Sequence, residues 1–185
     1  MESCGEEAEE KEFLAQLISI IVPKVFVPPL NFAMVEPGIY RSGYPGKKNF
    51  PFLKQLNIKT IICLDPVQYR NEDYLIAENV KLFQYPVNKN KEPLTLIPQY
   101  LLADALSRML DKANYPILVH CNKGKYRVGC AVGCLRKLQN LSKTFIFAEY
   151  QKFSGAKARV LDQQYIELFD VSLVKYDKES APEWL

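Results

Sequence analysis

The stretch Pro116-Ile117-Leu118-Val119-His120-Cys121-Asn122-Lys123-Gly124-Lys125-Tyr126-Arg127 decides the reading of this chain. Residues 116–119 are apolar and read as a short buried strand, and a helical stretch runs over 127–138. A strand, a loop and a helix in that order aim the loop's N–H groups at one point, where the helix N-terminus adds partial positive charge. A nest of this kind binds a tetrahedral oxyanion. Gly124 supplies a backbone conformation that other residues resist. Arg127 can clamp two anion oxygens with a bidentate, charge-assisted contact. Lys123 and Lys125 crowd the same few residues, and a bound polyanion relieves their mutual repulsion. Cys121 then lies at the floor of an anion site, where the field favours the nucleophilic thiolate. A thiolate beneath a phosphate is placed for in-line attack, giving a phosphocysteine that water later hydrolyses. The spacing of Cys121 to Arg127 is weakly specific alone, and a cysteine that merely packs is the plain alternative. The flanking strand and helix, Gly124 and the cluster of cations weigh against it. His120 reads either as a general base or, preferred here, as a support whose ring bonds to the loop backbone and holds Cys121.

Outward from that stretch, 32–35 and 39–41 form a hairpin around Glu36-Pro37-Gly38. Residues 49–56 are a short helix, 59–64 a β-branched buried strand, 71–79 a helix and 80–86 a further strand. Residues 87–98 are a polar loop. Leu101, Leu102, Ala105, Leu106, Met109 and Leu110 recur at helical spacing within 99–112. Helices follow at 143–153 and 161–171. Strands alternating with helices predict an α/β fold: one compact domain whose central, mostly parallel sheet is flanked by helices. The domain is expected over 25–175. It follows an acidic leader with a short helix (1–24, the helix over 13–22) and precedes a tail at 176–185.

Composition limits the function classes. Of 185 residues, 48% are apolar and 24% charged, as in an ordinary water-soluble domain. No apolar run approaches the roughly 20 residues of a membrane span. The N-terminus carries Glu2, Glu6, Glu7, Glu9, Glu10 and Glu12 rather than a basic region, so no secretory signal is expected and the cytoplasm is the default location. Five cysteines without metal-ligand spacing, and a single histidine, predict reduced thiols and neither metal nor cofactor. A net charge of +3 gives no reason to expect a nucleic-acid partner.

The sequence also resembles a known family. His120 to Leu138 (HCNKGKYRVGCAVGCLRKL) is similar to the signature of the atypical dual-specificity phosphatases of plants and fungi. So are Pro28 to Phe32, Gly38 to Gly43, Asn49 to Leu53, Lys91-Glu92-Pro93, Glu149 to Phe153, Lys157 to Arg159 and Asp162 to Tyr165. The resemblance covers roughly residues 25–171. It implies the compact cysteine-phosphatase fold, and removal of the β-phosphate of inositol pyrophosphates with phosphotyrosine as a secondary substrate. It assigns Cys121 as nucleophile, Arg127 as clamp and Lys125 as a basic loop residue. Lys123 stands where many members have Arg. Tyr126 replaces the usual His, and Val128 replaces the usual Thr, whose hydroxyl helps the cysteine leave. A slow second step is the consequence.

Tyrosine phosphatases need an Asp acid on a mobile loop because phenolate, with a pKa of about 10, leaves poorly. The corresponding loop here, 87–98, has Glu92 as its only carboxylate. Asp65 reads as a turn residue before Pro66, and Asp104 as a solvated helix residue. A diphosphate's leaving group is itself a phosphate, with a relevant pKa near about 6, so a poor acid loop points to diphosphates. The basic rim such a substrate needs is expected from Lys89, Lys91, Lys123, Lys125, Lys157 and Arg159, with Asn122, Gly124 and Tyr126 in the binding loop. Arg41 reads as a core buttress or as a residue reaching the phosphate. Arg136 and Lys137 are expected to serve the helix dipole and solvent. Cys130 and Cys134 are expected to pack on the helix's inner face, with Cys130 as a resolving thiol the alternative. Rival functions are a protein or phosphoinositide phosphatase and a weakly active phosphate-binding scaffold in a homo- or hetero-oligomer with related subunits.

Overall fold

Five strands in the order β1-β2-β5-β3-β4 make the sheet: β1 Ala33–Glu36, β2 Ile39–Gly43, β3 Thr60–Cys63, β4 Lys81–Gln84 and β5 Ile117–Cys121. The computed structural model describes residues 25–88 and 97–185. The expected acidic leader and the helix over 13–22 lie outside them. Only the β1–β2 hairpin is antiparallel; β2–β5, β5–β3 and β3–β4 are parallel, as the strand–helix alternation predicts. Among the described residues six α-helices accompany the sheet: α1 Phe50–Gln55, α2 Glu72–Ala77, α3 Gln99–Met109, α4 Tyr126–Leu138, α5 Lys143–Ser154 and α6 Val160–Leu168. No helix among the described residues is long and apolar enough to cross a membrane.

The central strands are buried along their whole length. A parallel strand covered on both faces reads as a continuous apolar run, which is how Thr60-Ile-Ile-Cys and Ile117-Leu-Val read. Alternation then sorts their side chains. Ile61, Cys63 and Leu118 join Leu53, Tyr69 and Tyr74 on the face covered by α1 and α2. Ile62, Leu64, Ile117, Val119 and Cys121 face the larger core with Leu106, Val128, Ile146 and Ile166 from α3 to α6. α4 lies close against α5: a Cβ on Gly129 would sit 2.7 Å from the Tyr150 ring.

Two expectations change. β5 does not stop at residue 119 but continues through His120 and Cys121, because β2 pairs with it to the end, Gly43 against Cys121. Arg136 is not a solvent-facing residue. It is buried, ion-paired with Glu36 and Glu149 and bonded to the Val35 carbonyl, so it ties α4 to β1 and α5. A buried guanidinium is tolerated only with such partners. Lys137 bonds the Glu167 and Phe169 carbonyls at the C-terminal end of α6. Beyond residue 175 the chain has no helix or strand, yet Trp184 packs on the main core and the Ser180 carbonyl accepts from the Lys112 amide.

Candidate active site

Cys121 ends β5, 3% exposed, and α4 begins at Tyr126. Between them the loop turns through Gly124 at φ +66°, and a Cβ there would lie 2.5 Å from the Gly43 nitrogen. Only glycine meets both constraints. Three successive loop carbonyls are pinned from outside. Asn122 O accepts from the Tyr44 amide at 3.0 Å, Lys123 O from Asn31 Nδ2 at 2.7 Å and Gly124 O from Arg41 Nη2 at 3.0 Å. In a trans peptide the N–H points opposite to its C=O. The amides of Lys123, Gly124 and Lys125 therefore point away from those donors, which leaves them free for the anion-binding role expected of this loop.

Arg127 is 7% exposed on the first turn of α4. Its Nη1 donates to Leu64 O at 3.2 Å and Val87 O at 3.4 Å, and its Nη2 pairs with Asp65 Oδ2 at 2.8 Å. Asp65 does make the expected turn, accepting from the Val67 amide through Oδ1, but its other oxygen holds Arg127. Sequence reading missed that second role. The available signal was position: Asp65 follows β3, the neighbour of β5, and sites in such sheets gather at the carboxyl ends of adjacent strands.

A cavity of about 400 Å³ opens over this loop, lined by Cys121, Asn122, Lys123, Lys125, Tyr126, Arg127, Lys157 and Arg159. Of the residues expected to form a basic rim, Lys123, Lys125, Lys157 and Arg159 line it together with Arg127, with no carboxylate among the described lining residues. The Arg159 guanidinium stacks on the Tyr126 ring at 3.8 Å. Lys89, Lys91 and Glu92 lie outside the described residues. Asp104 is away from this cavity, half-exposed, bonded to the Tyr85 hydroxyl and lying 3.9 Å from Arg108.

His120 is fully buried and, one residue from Cys121 in a strand, projects to the opposite face. Its ring packs against Tyr44 and Tyr69, with centroids 5.3 and 5.7 Å away. Neither ring nitrogen has a hydrogen-bond partner among the described residues. The ring is held by this packing, with the Cys121 main chain also acting on it, and general-base action on Cys121 has no geometry here. Burial pushes the imidazole down to about 4, with the Cys121 main chain acting the other way, so it is neutral at physiological pH.

Val128, Cys130 and Cys134 are wholly buried on the inner face of α4. Burial raises Cys130 well above the ordinary thiol value, with Asp162 adding to it. A thiol so disfavoured as thiolate packs as a small apolar residue.

Residues 26–185 match the family model described as "Tyrosine phosphatase family". The chain is 49% identical over 154 residues to inositol diphosphatase DSP1 of Oryza sativa subsp. japonica, covering 82% of this chain and 69% of that protein. It is 48% identical over 158 residues to inositol diphosphatase SIW14 of Saccharomyces cerevisiae, covering 84% of this chain and 56% of that protein. The solved core catalytic domain of the yeast PP-IP phosphatase SIW14, in complex with citrate, superposes with a TM-score of 0.75 at 47% identity. It covers 79% of this chain and 89% of the solved one.

Proposed function

The chain belongs to the tyrosine phosphatase family, and from that premise we propose that it is a cysteine-dependent phosphatase that removes the β-phosphate of inositol pyrophosphates. One observation carries the reading: Cys121 lies in a cavity walled by Lys123, Lys125, Arg127, Lys157 and Arg159, with no carboxylate among the described lining residues. A single phosphate needs one clamp. This density of cations suits a ligand bearing many phosphates. The names of the rice and yeast relatives point the same way.

The terminal phosphate is held by Arg127 and the amides of the 122–126 loop. The Cys121 thiolate attacks its phosphorus in line while the bond to the bridging oxygen breaks. The inositol phosphate departs with that oxygen, and water then cleaves the phosphorus–sulfur bond and regenerates the thiolate. Leaving-group chemistry favours this substrate over phosphotyrosine. A phosphate with a pKa near about 6, against about 10 for phenol, needs about 5 kcal/mol less assistance from an acid. Cytoplasmic residence is part of the same proposal, in keeping with the free thiols of Cys63, Cys121, Cys130 and Cys134.

The test is phosphate release from several inositol pyrophosphate isomers, set beside a phosphotyrosine peptide, with Cys121→Ser as control. Faster turnover of the pyrophosphates, abolished in C121S, is expected. Preference for the peptide makes the chain a protein phosphatase instead, and full activity in C121S overturns the mechanism.

A further inference from the structure

We propose that Arg41 is a positioning residue of this site, which pins the phosphate-binding loop and sets a permanent buried positive charge behind Cys121. The inference rests on reading Cys121 as the nucleophile. Arg41 is 1% exposed, among the largest fully buried side chains in the protein. It occupies β2 opposite Val119, two residues before Gly43, which lies opposite Cys121. Paired residues on neighbouring strands project to the same face, so Arg41 and Cys121 share the face covered by α4 and α5.

Its contacts are few. Nη2 donates to Gly124 O, and the guanidinium lies 3.7 Å over the Phe153 ring of α5. Nε and Nη1 meet no partner among the described residues. No carboxylate there pairs with it, because Glu149, whose field reaches it, is bonded to Arg136. An uncompensated buried cation is costly, and an apolar side chain would fill the space at less cost. The cost has a purpose if the Cys121 thiolate, on the same face of the sheet, supplies the compensation that Glu149, bonded to Arg136, gives only in part. Burial lowers Arg41 only to about 10, so it stays protonated at neutral pH.

The other titratable groups around Cys121, on either face of the sheet, do not supply this charge in the same way. The thiols of Cys63 and Cys130 are raised by burial and neutral. The buried His120 is neutral. Arg127 is partnered by Asp65, and Lys123, Lys125, Lys157 and Arg159 stand around the cavity. Arg136 and Glu149 face Arg41 from α4 and α5.

The experiment is the rate of iodoacetamide alkylation at Cys121 against pH, with the adduct located by peptide mass spectrometry, in the full chain and in Arg41→Gln and Arg41→Lys. Gln keeps a donor for Gly124 O without the charge; Lys keeps the charge without the planar fork. R41Q is expected to react about tenfold more slowly at mildly acidic pH, with its profile moved to higher pH, and R41K within about threefold of the parent. R41Q reacting at the parent's rate, or R41K as slow as R41Q, overturns the proposal. Arg41→Met replaces R41Q in the same comparison if R41Q does not fold. Alkylation does not depend on turnover, so loss of the proposed reaction, read from C121S, is a separate result.

Discussion

Asp65 and Arg127 form a buried ion pair, Nη2 to Oδ2 at 2.8 Å, that joins the turn after β3 to the first turn of α4. The carboxylate offsets the charge of Arg127 and, with the Leu64 and Val87 carbonyls, fixes the plane of its guanidinium. Asp65→Asn keeps the turn acceptor and loses the charge. It should lower kcat/KM by about ten- to a hundredfold and stability by about 2 kcal/mol, since a buried charge then lacks its partner. Steady-state kinetics beside urea denaturation decide it; an unaltered kcat/KM means Arg127 is held by the Leu64 and Val87 carbonyls alone.

Val128 is wholly buried directly after the clamp. With no hydroxyl there to help Cys121 leave, hydrolysis of the phosphocysteine should limit turnover. Rapid-quench assays should give a burst of about one product per enzyme. Val128→Thr should remove the burst and raise the steady rate, at about 1–2 kcal/mol of stability for burying a hydroxyl. Linear progress in the parent counts against a slow second step.

Glu92 is the only carboxylate of residues 87–98. Glu92→Gln should cost phosphotyrosine peptides at least about tenfold and inositol pyrophosphates little, because only the first leaving group needs a proton. Equal large losses on both substrates would sink the leaving-group argument.

His120 gives stability a defined pH window. Folded, its imidazole titrates at about 4; unfolded, it titrates near the ordinary 6.5. Between those values the unfolded chain binds the extra proton, so stability rises with pH there. The contribution is complete above about 6.5 and is lost as pH falls toward about 4, on the order of 3 kcal/mol in all. His120 is the chain's only histidine. Denaturation of His120→Asn across this window should show a flatter slope than the parent; identical slopes would assign the acid lability to carboxylates.

Much of this was legible in the sequence because it is local. The β5–loop–α4 unit is contiguous, Gly124 and Arg127 stand at fixed offsets from Cys121, and the apolar run of 60–63 marks a strand buried on both faces. The parallel sheet follows from the order of the elements. The end of β5 was not legible, since His120 and Cys121 belong to the strand through pairing with Ser42 and Gly43 of β2 and, for His120, with Cys63 of β3. Nor was the face of His120, which depends on that extension.

The sequence by itself singled out Cys121 and Arg127 and the anion-binding character expected of the loop between them, because six consecutive backbone steps separate the two residues and short-range geometry needs no partner. Tertiary structure alone decided what holds them. Asp65 reaches Arg127 across 62 positions and Arg41 reaches Gly124 across 83. Such contacts exist only once β2, β5 and β3 lie side by side, because burial desolvates these charges and only the assembled sheet brings them their partners.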